Sequence, residues 1–301
     1  MKYSIGVDIG GTKVAVAIVD QIGSIVKHRI IPTDLSIPPE QMIKRIIQVV
    51  NEVLRDDRFS HDVITGIGVG VPGPLDSRNG MVTCPPNLAT WRDVPIKQIM
   101  EADLPYTVQL ENDANAATLA EKWLGAGRNH EHVIYMTVST GIGAGIFTDG
   151  RLLRGRNGNA GDIGHTVIDP SFGECSCGQK GCLEAIASGT AIARHGSTIV
   201  GEPVTTERVF RLYKEKDPRI VEYIDSVFRV LGTACVNLVN TFDAEIIIIG
   251  GGVSKVGKPL FETAQEYVSA YALNPMGRQA KVIPAELEQN SGVIGAAALC
   301  L

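Results

Sequence analysis

No stretch of this 301-residue sequence is apolar for long enough to cross a membrane. The apolar run "EIIIIGGGV" at 245–253 falls well short of the roughly 20 residues a spanning helix needs. No apolar leader is expected either, because "MKYSIGVDIGG" puts Asp8 where a signal peptide would have its hydrophobic core. Positive charge is not in excess: 28 Lys and Arg against 33 Asp and Glu give a formal charge of -5. That balance argues against nucleic acid or an anionic membrane surface as a partner. Low-complexity tracts and flexible Pro/Ser linkers are also lacking. These absences set the expectation of a cytoplasmic globular protein, and in that compartment disulfides are rare.

What is present suits a folded α/β chain. Hydrophobic residues at 44% and charged residues at 20% are ordinary for a globular protein, and the length allows one large or two medium domains with real cores. "YSIGVDIGGTKVAVAIVDQIGSIV" reads as strand, glycine turn, strand, short turn at Gly23, strand, with alternating apolar and β-branched residues. "VIYMTVSTGIGAGIFTDGRLL" repeats that plan far downstream, with its own glycine turn and an Asp-Gly hairpin signal at 149–150. A spacing so long indicates a duplicated domain rather than a repeat array.

Helices fill the intervals. From Glu40 to Arg55, Ile43, Ile46, Ile47, Val50, Val53 and Leu54 recur at helical spacing. "ANAATLAEKWLGAG" is rich in helix formers and stops at Gly125, and a long periodic helix opens at Pro218 and leads into the strand of "EIIIIGGG". The tail "NSGVIGAAALCL" begins with capping residues and turns small and apolar, as a packed terminal helix does. With no linker in view, a domain boundary is expected at a structured hinge near residues 115–125.

Three glycine clusters carry the first chemical signal. In "DIGGTK" at 8–13, Gly10 and Gly11 would let backbone N–H groups approach an anion, with the Thr12 hydroxyl and the Lys13 ammonium following. It is neither a Walker loop nor a Rossmann fingerprint, since a strand follows, and alone it would be a plain hairpin turn. The second turn, "STGIGAG" at 139–145, shifts the balance toward a cleft that grips a nucleotide from both sides. The third, "GGG" at 250–252, follows an apolar strand; it is either a strand-to-helix turn or a wall of an adenosine pocket. In "QLENDANAA" at 109–117 a strand gives way to a helix at Asn112 and Asp113. Asp113 there is either a helix cap or a positioned base that takes a proton from an alcohol.

The cysteines divide in two. Cys84, Cys235 and Cys300 are scattered and read as buried, inert thiols. Cys175, Cys177 and Cys182 form C-x-C-x4-C, ten residues beyond His165. Three thiolates and an imidazole complete a closed tetrahedral zinc shell, which would be structural. Redox thiols would normally show C-x-x-C, and a disulfide is disfavoured by compartment.

In order along the chain, "DIGGTK", "ENDANAA", "STGIGAG", "GHTV" with "CSCGQKGCLEAIASG", and "IIIIGGGVS" resemble the signature of the ROK family of repressors, open reading frames and sugar kinases. The resemblance covers essentially the whole chain. It implies a two-domain actin-like ATPase fold, α/β, duplicated and ribonuclease H-like, with an interdomain cleft. The small N-terminal domain would comprise 1–118 plus 290–301, closed by the C-terminal helix, and a larger domain 119–289 would carry the zinc loop. Gly10, Gly11, Thr12, Lys13, Thr140, Gly141 and Gly143 would hold ATP phosphates, with Gly251 and Gly252 beside adenosine. Asp8 would steer Mg²⁺, Asp113 would be the base, and Asn87, Asn112, Asp113, Asp162, His165 and Glu184 would hold the sugar. The structural Zn²⁺ would fix His165 and deliver Glu184 to the sugar hydroxyls.

The implied activity is ATP-dependent phosphorylation of the 6-hydroxyl of a hexose, with glucose the first acceptor and N-acetylmannosamine the second. Many glucokinase-like members have Glu where this chain has Asp162, which bears on the acceptor. A sugar-responsive regulator of the same family is disfavoured, because a glycine loop starting at residue 8 leaves no room for a helix-turn-helix before it. No nucleic acid and no membrane are expected as partners, and the family implies a homodimer or homotetramer.

Overall fold

The computed structural model describes residues 1–56, 58–287 and 290–301. The chain forms two compact units, Met1–Arg128 with Leu152–Ala160 and Gln289–Leu301, and Asn129–Arg151 with Gly161–Glu288. The boundary expected between 289 and 290 touches residues outside the described ones.

The first unit opens with a meander of three antiparallel strands: β1 (Tyr3–Ile9), β2 (Lys13–Asp20) and β3 (Ile25–Pro32). Gly23 takes the left-handed conformation that the β2–β3 turn requires, with φ of 88°. Helix α1 (Pro39–Val53) follows, and its buried face of Met42, Ile43, Ile46, Ile47, Val49, Val50 and Val53 contains five of the six residues expected from the spacing, the sixth, Leu54, being its half-buried C-cap. Burying seven such side chains contributes on the order of 10 kcal/mol gross. Strand β4 (Ile64–Val71) pairs parallel with β1. A small hairpin, β5 (Leu75–Asp76) and β6 (Met81–Val82), and helix α2 (Ile96–Asp103) lead to β7 (Val108–Asn112), parallel to β4. Helix α3 (Asp113–Trp123) starts directly from its end.

The second unit repeats the plan. Strands β8 (Val133–Val138), β9 (Ile142–Thr148) and β10 (Arg151–Leu152) form its meander. Asp149 and Gly150 make the two-residue turn, both with positive φ (51° and 76°), as the Asp-Gly signal indicated. Short α4 (Leu183–Ala187), then α5 (Gly189–Val200), α6 (Thr206–Lys214) and α7 (Pro218–Phe242) precede β11 (Ile246–Gly250), parallel to β8. Helix α7 has Pro218 in its first turn behind an Asp217 cap, and buries Ile220, Ile224, Val227, Phe228 and Leu231. Helix α8 (Lys258–Tyr271) and β12 (Lys281–Pro284), parallel to β11, complete the unit. The chain then returns to the first unit for α9 (Ser291–Ala298).

The two sheets have the same strand order, β3-β2-β1-β4-β7 and β10-β9-β8-β11-β12. In each, an antiparallel meander is followed by two parallel strands reached through helices. Each unit also has its own hydrophobic core. The duplication expected from the repeated glycine hairpins is therefore a duplication of topology.

Helix α9 packs almost backbone to backbone in the first unit. A β-carbon at Gly6 would collide with the Val293 carbonyl, one at Gly68 with the Ala296 carbonyl, and one at Gly295 with the Ala116 carbonyl. Only glycine permits approach this close. Although Asn290 and Ser291 are capping types, Asn290 makes no side-chain cap bond.

Candidate active site

In the first unit the candidate residues Asp8, Asn112 and Asp113 lie at or just beyond the carboxyl ends of the parallel strands β1 and β7. Asp8 is the penultimate residue of β1 and stands in register with Gly70 of β4, which in turn pairs with Glu111 of β7. The turn after β1 is closed by Gly10 N–H to the Lys13 carbonyl at 2.9 Å, and Thr33 Oγ1 donates to the Gly10 carbonyl at 2.6 Å. A β-carbon on Gly11 would come within 2.9 Å of the Asn87 carbonyl, so the short turn holding Asn87 lies directly against this glycine. Thr12, Lys13 and Asn87 are exposed.

Burial raises the Asp8 carboxyl from 3.8 to about 6, the like charge of Asp113 adds to this, and Lys13 opposes it. The Asp8 carboxylate also abuts the first turn of α9, where a β-carbon at Gly292 would collide with it. A carboxylate crowded by another and held by one ammonium is a place where a cation is electrostatically wanted.

At the β7–α3 junction Asn112 and Asp113 stand side by side. Asn112 is the N-cap: its Oδ1 accepts from Ala114 N at 2.9 Å and Asn115 N at 3.3 Å. Asp113 is the first helical residue, with Oδ1 accepting from Ala114 N at 2.8 Å. The side chains of Asn112 and Asp113 thus share the Ala114 N–H at the head of α3. Two neighbours in the same motif escaped sequence reasoning. Glu111 and Asn115 are fully buried and bonded to one another, Asn115 Nδ2 to Glu111 Oε1 at 2.9 Å. Nothing in their residue type announced this; only an acidic residue at an inward-facing strand position hinted at it.

In the second unit, the β8–β9 turn contains Ser139, Thr140 and Gly141, and Gly143 lies within β9 opposite Thr137. Gly251, with φ of 89°, packs against the backbone of Val138, so the third glycine cluster adjoins the second. Gly252 has open space where a side chain would be. Glu184, in the first turn of α4, accepts from Ile142 N at 2.8 Å and presses on Gly141. Asp162 shares its surroundings: desolvation raises its carboxyl from the ordinary value, Glu184 adds to this and His165 opposes it. Asp162, His165 and Glu184 therefore form one electrostatic group.

The cysteine loop adjoins that group. His165, Cys175, Cys177 and Cys182 bring their ligand atoms within 4.8 Å of one another. Cys175 Sγ is 3.5 Å from His165 Nδ1, and the Cys177 and Cys182 sulfurs are 3.6 Å apart. A tetrahedron with metal–sulfur bonds of about 2.3 Å has edges of about 3.8 Å, so the donor set fits zinc in type and spacing. Gly178 and Gly181 take positive φ (89° and 75°), supplying the tight turns. The backbone N–H of Gln179 is the first cause pulling the Cys177 thiol down to about 6, while burial pushes Cys182 up to about 12. Of the other cysteines, Cys235 is buried, Cys300 is intermediate and Cys84 is exposed. The expectation of burial fails for Cys84 because it lies in the surface loop that leads into Pro85 and Pro86.

Two sheets of one order, with glycine turns at their strand ends and a carboxylate at the head of a helix, define an actin-like ATPase fold. The sequence model of the ROK family matches residues 4–301, and the chain belongs to that family. It is 36% identical to a glucokinase of Thermotoga maritima over 98% of this chain and 96% of the relative. A ROK hexokinase from Thermus thermophilus superposes with a TM-score of 0.87 at 34% identity, covering 99% of this chain and 97% of the other. A ROK family glucokinase from Streptomyces griseus, solved with glucose and AMPPNP, gives 0.81 at 31% identity, covering 99% of each chain.

Proposed function

We propose that the protein is an ATP-dependent hexose kinase of the glucokinase type, transferring the γ-phosphoryl group to the sugar 6-hydroxyl. The observation that carries this reading is the β7–α3 junction. Asn112 is the N-cap of α3, and Asp113 stands beside it as the first helical residue, its Oδ1 accepting from Ala114 N at 2.8 Å. The kinship with glucokinases supports it.

In this reading Asp113 accepts the hydroxyl proton as the sugar oxygen attacks phosphorus. Asn112, whose Oδ1 is committed to the cap, offers its amide N–H to the sugar. Asn87, Asp162, His165 and Glu184 hold the remaining hydroxyls. The backbone and side chains of Gly10–Lys13 and of Thr140, Gly141 and Gly143 hold phosphates, and Gly251 and Gly252 flank the adenosine. Asp8 orients Mg²⁺, which when bound supplies charge neutralisation for the transferred group. His165, Cys175, Cys177 and Cys182 hold a structural zinc that fixes the cysteine loop and the start of α4, where Glu184 lies. The protein works in the cytoplasm as a homodimer or homotetramer.

A coupled ADP-release screen over glucose, mannose, fructose, N-acetylglucosamine and N-acetylmannosamine tests the proposal. Turnover greatest with glucose is expected. Preference for N-acetylmannosamine would move the acceptor, and no turnover with any of the five would refute the kinase reading.

A further inference from the structure

Glu111 is a fully buried carboxylate two residues before the proposed base, and the reaction as described makes no use of it. Two of its hydrogen bonds tie down the junction that presents Asp113, and a third ties it to Arg154. Oε1 accepts from the backbone N–H of Asn112 at 3.0 Å and from Asn115 Nδ2 at 2.9 Å. The carboxylate thus bridges the last residue of β7 and the first turn of α3. That fixes the angle between strand and helix. Its other oxygen, Oε2, takes the Nε of Arg154 in an ion pair of 2.5 Å.

Arg154 belongs to the segment Leu152–Ala160, which is part of the first unit although sequence of the second flanks it on both sides. The segment closes on itself through Ala160 N–H to the Arg154 carbonyl at 3.2 Å. Its far end is anchored by Asn159, whose amide makes two bonds to the backbone of Leu75, at 3.0 and 2.8 Å. Gly73 sits between the Asn112 and Asn159 side chains: its β-carbon would lie 3.2 Å from Asn112 Nδ2 and 3.5 Å from Asn159 Oδ1. The segment therefore lies against the junction from two directions, with Arg154 as its charged tie among the described residues.

We propose that Glu111 and Arg154 are a positioning pair for the proposed phosphoryl transfer, setting the orientation of Asn112 and Asp113 through the β7–α3 junction. This rests on the kinase reading. A carboxylate with no solvent contact keeps its charge at low cost only while its donors are in place. Removing the guanidinium leaves Glu111 with two neutral donors, and the junction relaxes. Displacement of a reacting group by about 1 Å can cost about 100-fold in rate without loss of binding elsewhere. A purely structural pair would lower stability and leave the kinetic constants of the folded enzyme alone.

The test uses the full-length protein with Arg154→Ala, Arg154→Lys, Glu111→Gln and the double variant Arg154→Ala/Glu111→Gln. Arg154→Ala is expected to lower kcat by about 10- to 100-fold, with the nucleotide Kd within about twofold of wild type. Arg154→Lys keeps the charge and should recover at least about tenfold where Arg154→Ala loses 100-fold. The double variant should lose no more than the worse single variant, because the two residues act as one unit. A kcat within threefold of wild type in Arg154→Ala, or losses that multiply in the double variant, would overturn the pair. Amide exchange at 112–115, followed without sugar or nucleotide, separates this from failure of the kinase reading. It should rise about tenfold in Arg154→Ala even if no sugar is turned over, and unchanged exchange would overturn the pair whatever the activity.

Discussion

Asp8→Asn should make the ligand-free protein more stable at neutral pH while removing its activity. Burial is the first cause that lifts the Asp8 carboxyl from 3.8 to about 6, with Asp113 adding to it and Lys13 opposing. Between those values the folded chain holds a proton that the unfolded chain has released. Stability therefore falls as pH rises through this window, and the loss is complete above about pH 7. The whole interval is worth about 3 kcal/mol, of which about 2 kcal/mol falls between about pH 4.5 and 7.5. Asparagine has nearly the same shape and no proton to lose. The stability of the variant relative to wild type should therefore grow by about 2 kcal/mol over that range. Urea unfolding in EDTA, followed by tryptophan fluorescence, measures this. The chain has two tryptophans, Trp91 and Trp123, both in the first unit, so the signal reports the unit that contains Asp8. A difference between variant and wild type that does not change with pH would refute the burial argument. A variant that is more stable and inactive would mark Asp8 as a group retained for function at a cost in stability.

Protein purified without chelators should contain one zinc per chain. Cys177→Ser should lose it and raise the sugar KM far more than the nucleotide KM, and absence of zinc by metal analysis would refute the site. Because the thiolates must be deprotonated, zinc should be released as pH falls, and the second unit should stay folded on its own core as the cysteine loop loosens. Gly68→Ala would place a methyl group on the Ala296 carbonyl of α9 and should destabilise the first unit by about 1–3 kcal/mol, read as a lower melting temperature; an unchanged melt would mean that α9 is not seated so closely.

Much of this was legible because it is local. The stripe of α1 follows from a 3.6-residue period, the Asp149–Gly150 turn from the conformational preference of two residues, and the cysteine cluster from the spacing of four donors. Duplication was visible because both meanders carry a glycine turn. What escaped depends on which residues meet in space. That Asn112 is the N-cap, with its side chain bent back onto Ala114 N, does not follow from a motif in which Asn112 and Asp113 are both capping types. The burial of Glu111 required Arg154 to arrive from 43 positions along the chain. Glu184 binding the Ile142 N–H joins positions 42 apart, and no pattern within either stretch encodes that contact. Cys84 was misjudged because an apolar context in sequence does not ensure neighbours in three dimensions.

The central claim, that Asp113 is the base of a phosphoryl transfer to a sugar, is tested most directly by Asp113→Asn. The substitution keeps the size of the side chain and removes only its capacity to take the proton. Sugar and ATP binding, measured by calorimetry, should remain within about threefold of wild type, while kcat in the ADP-release assay should fall by about 100-fold or more. A variant that binds both substrates and keeps more than about a tenth of the wild-type kcat would contradict the claim.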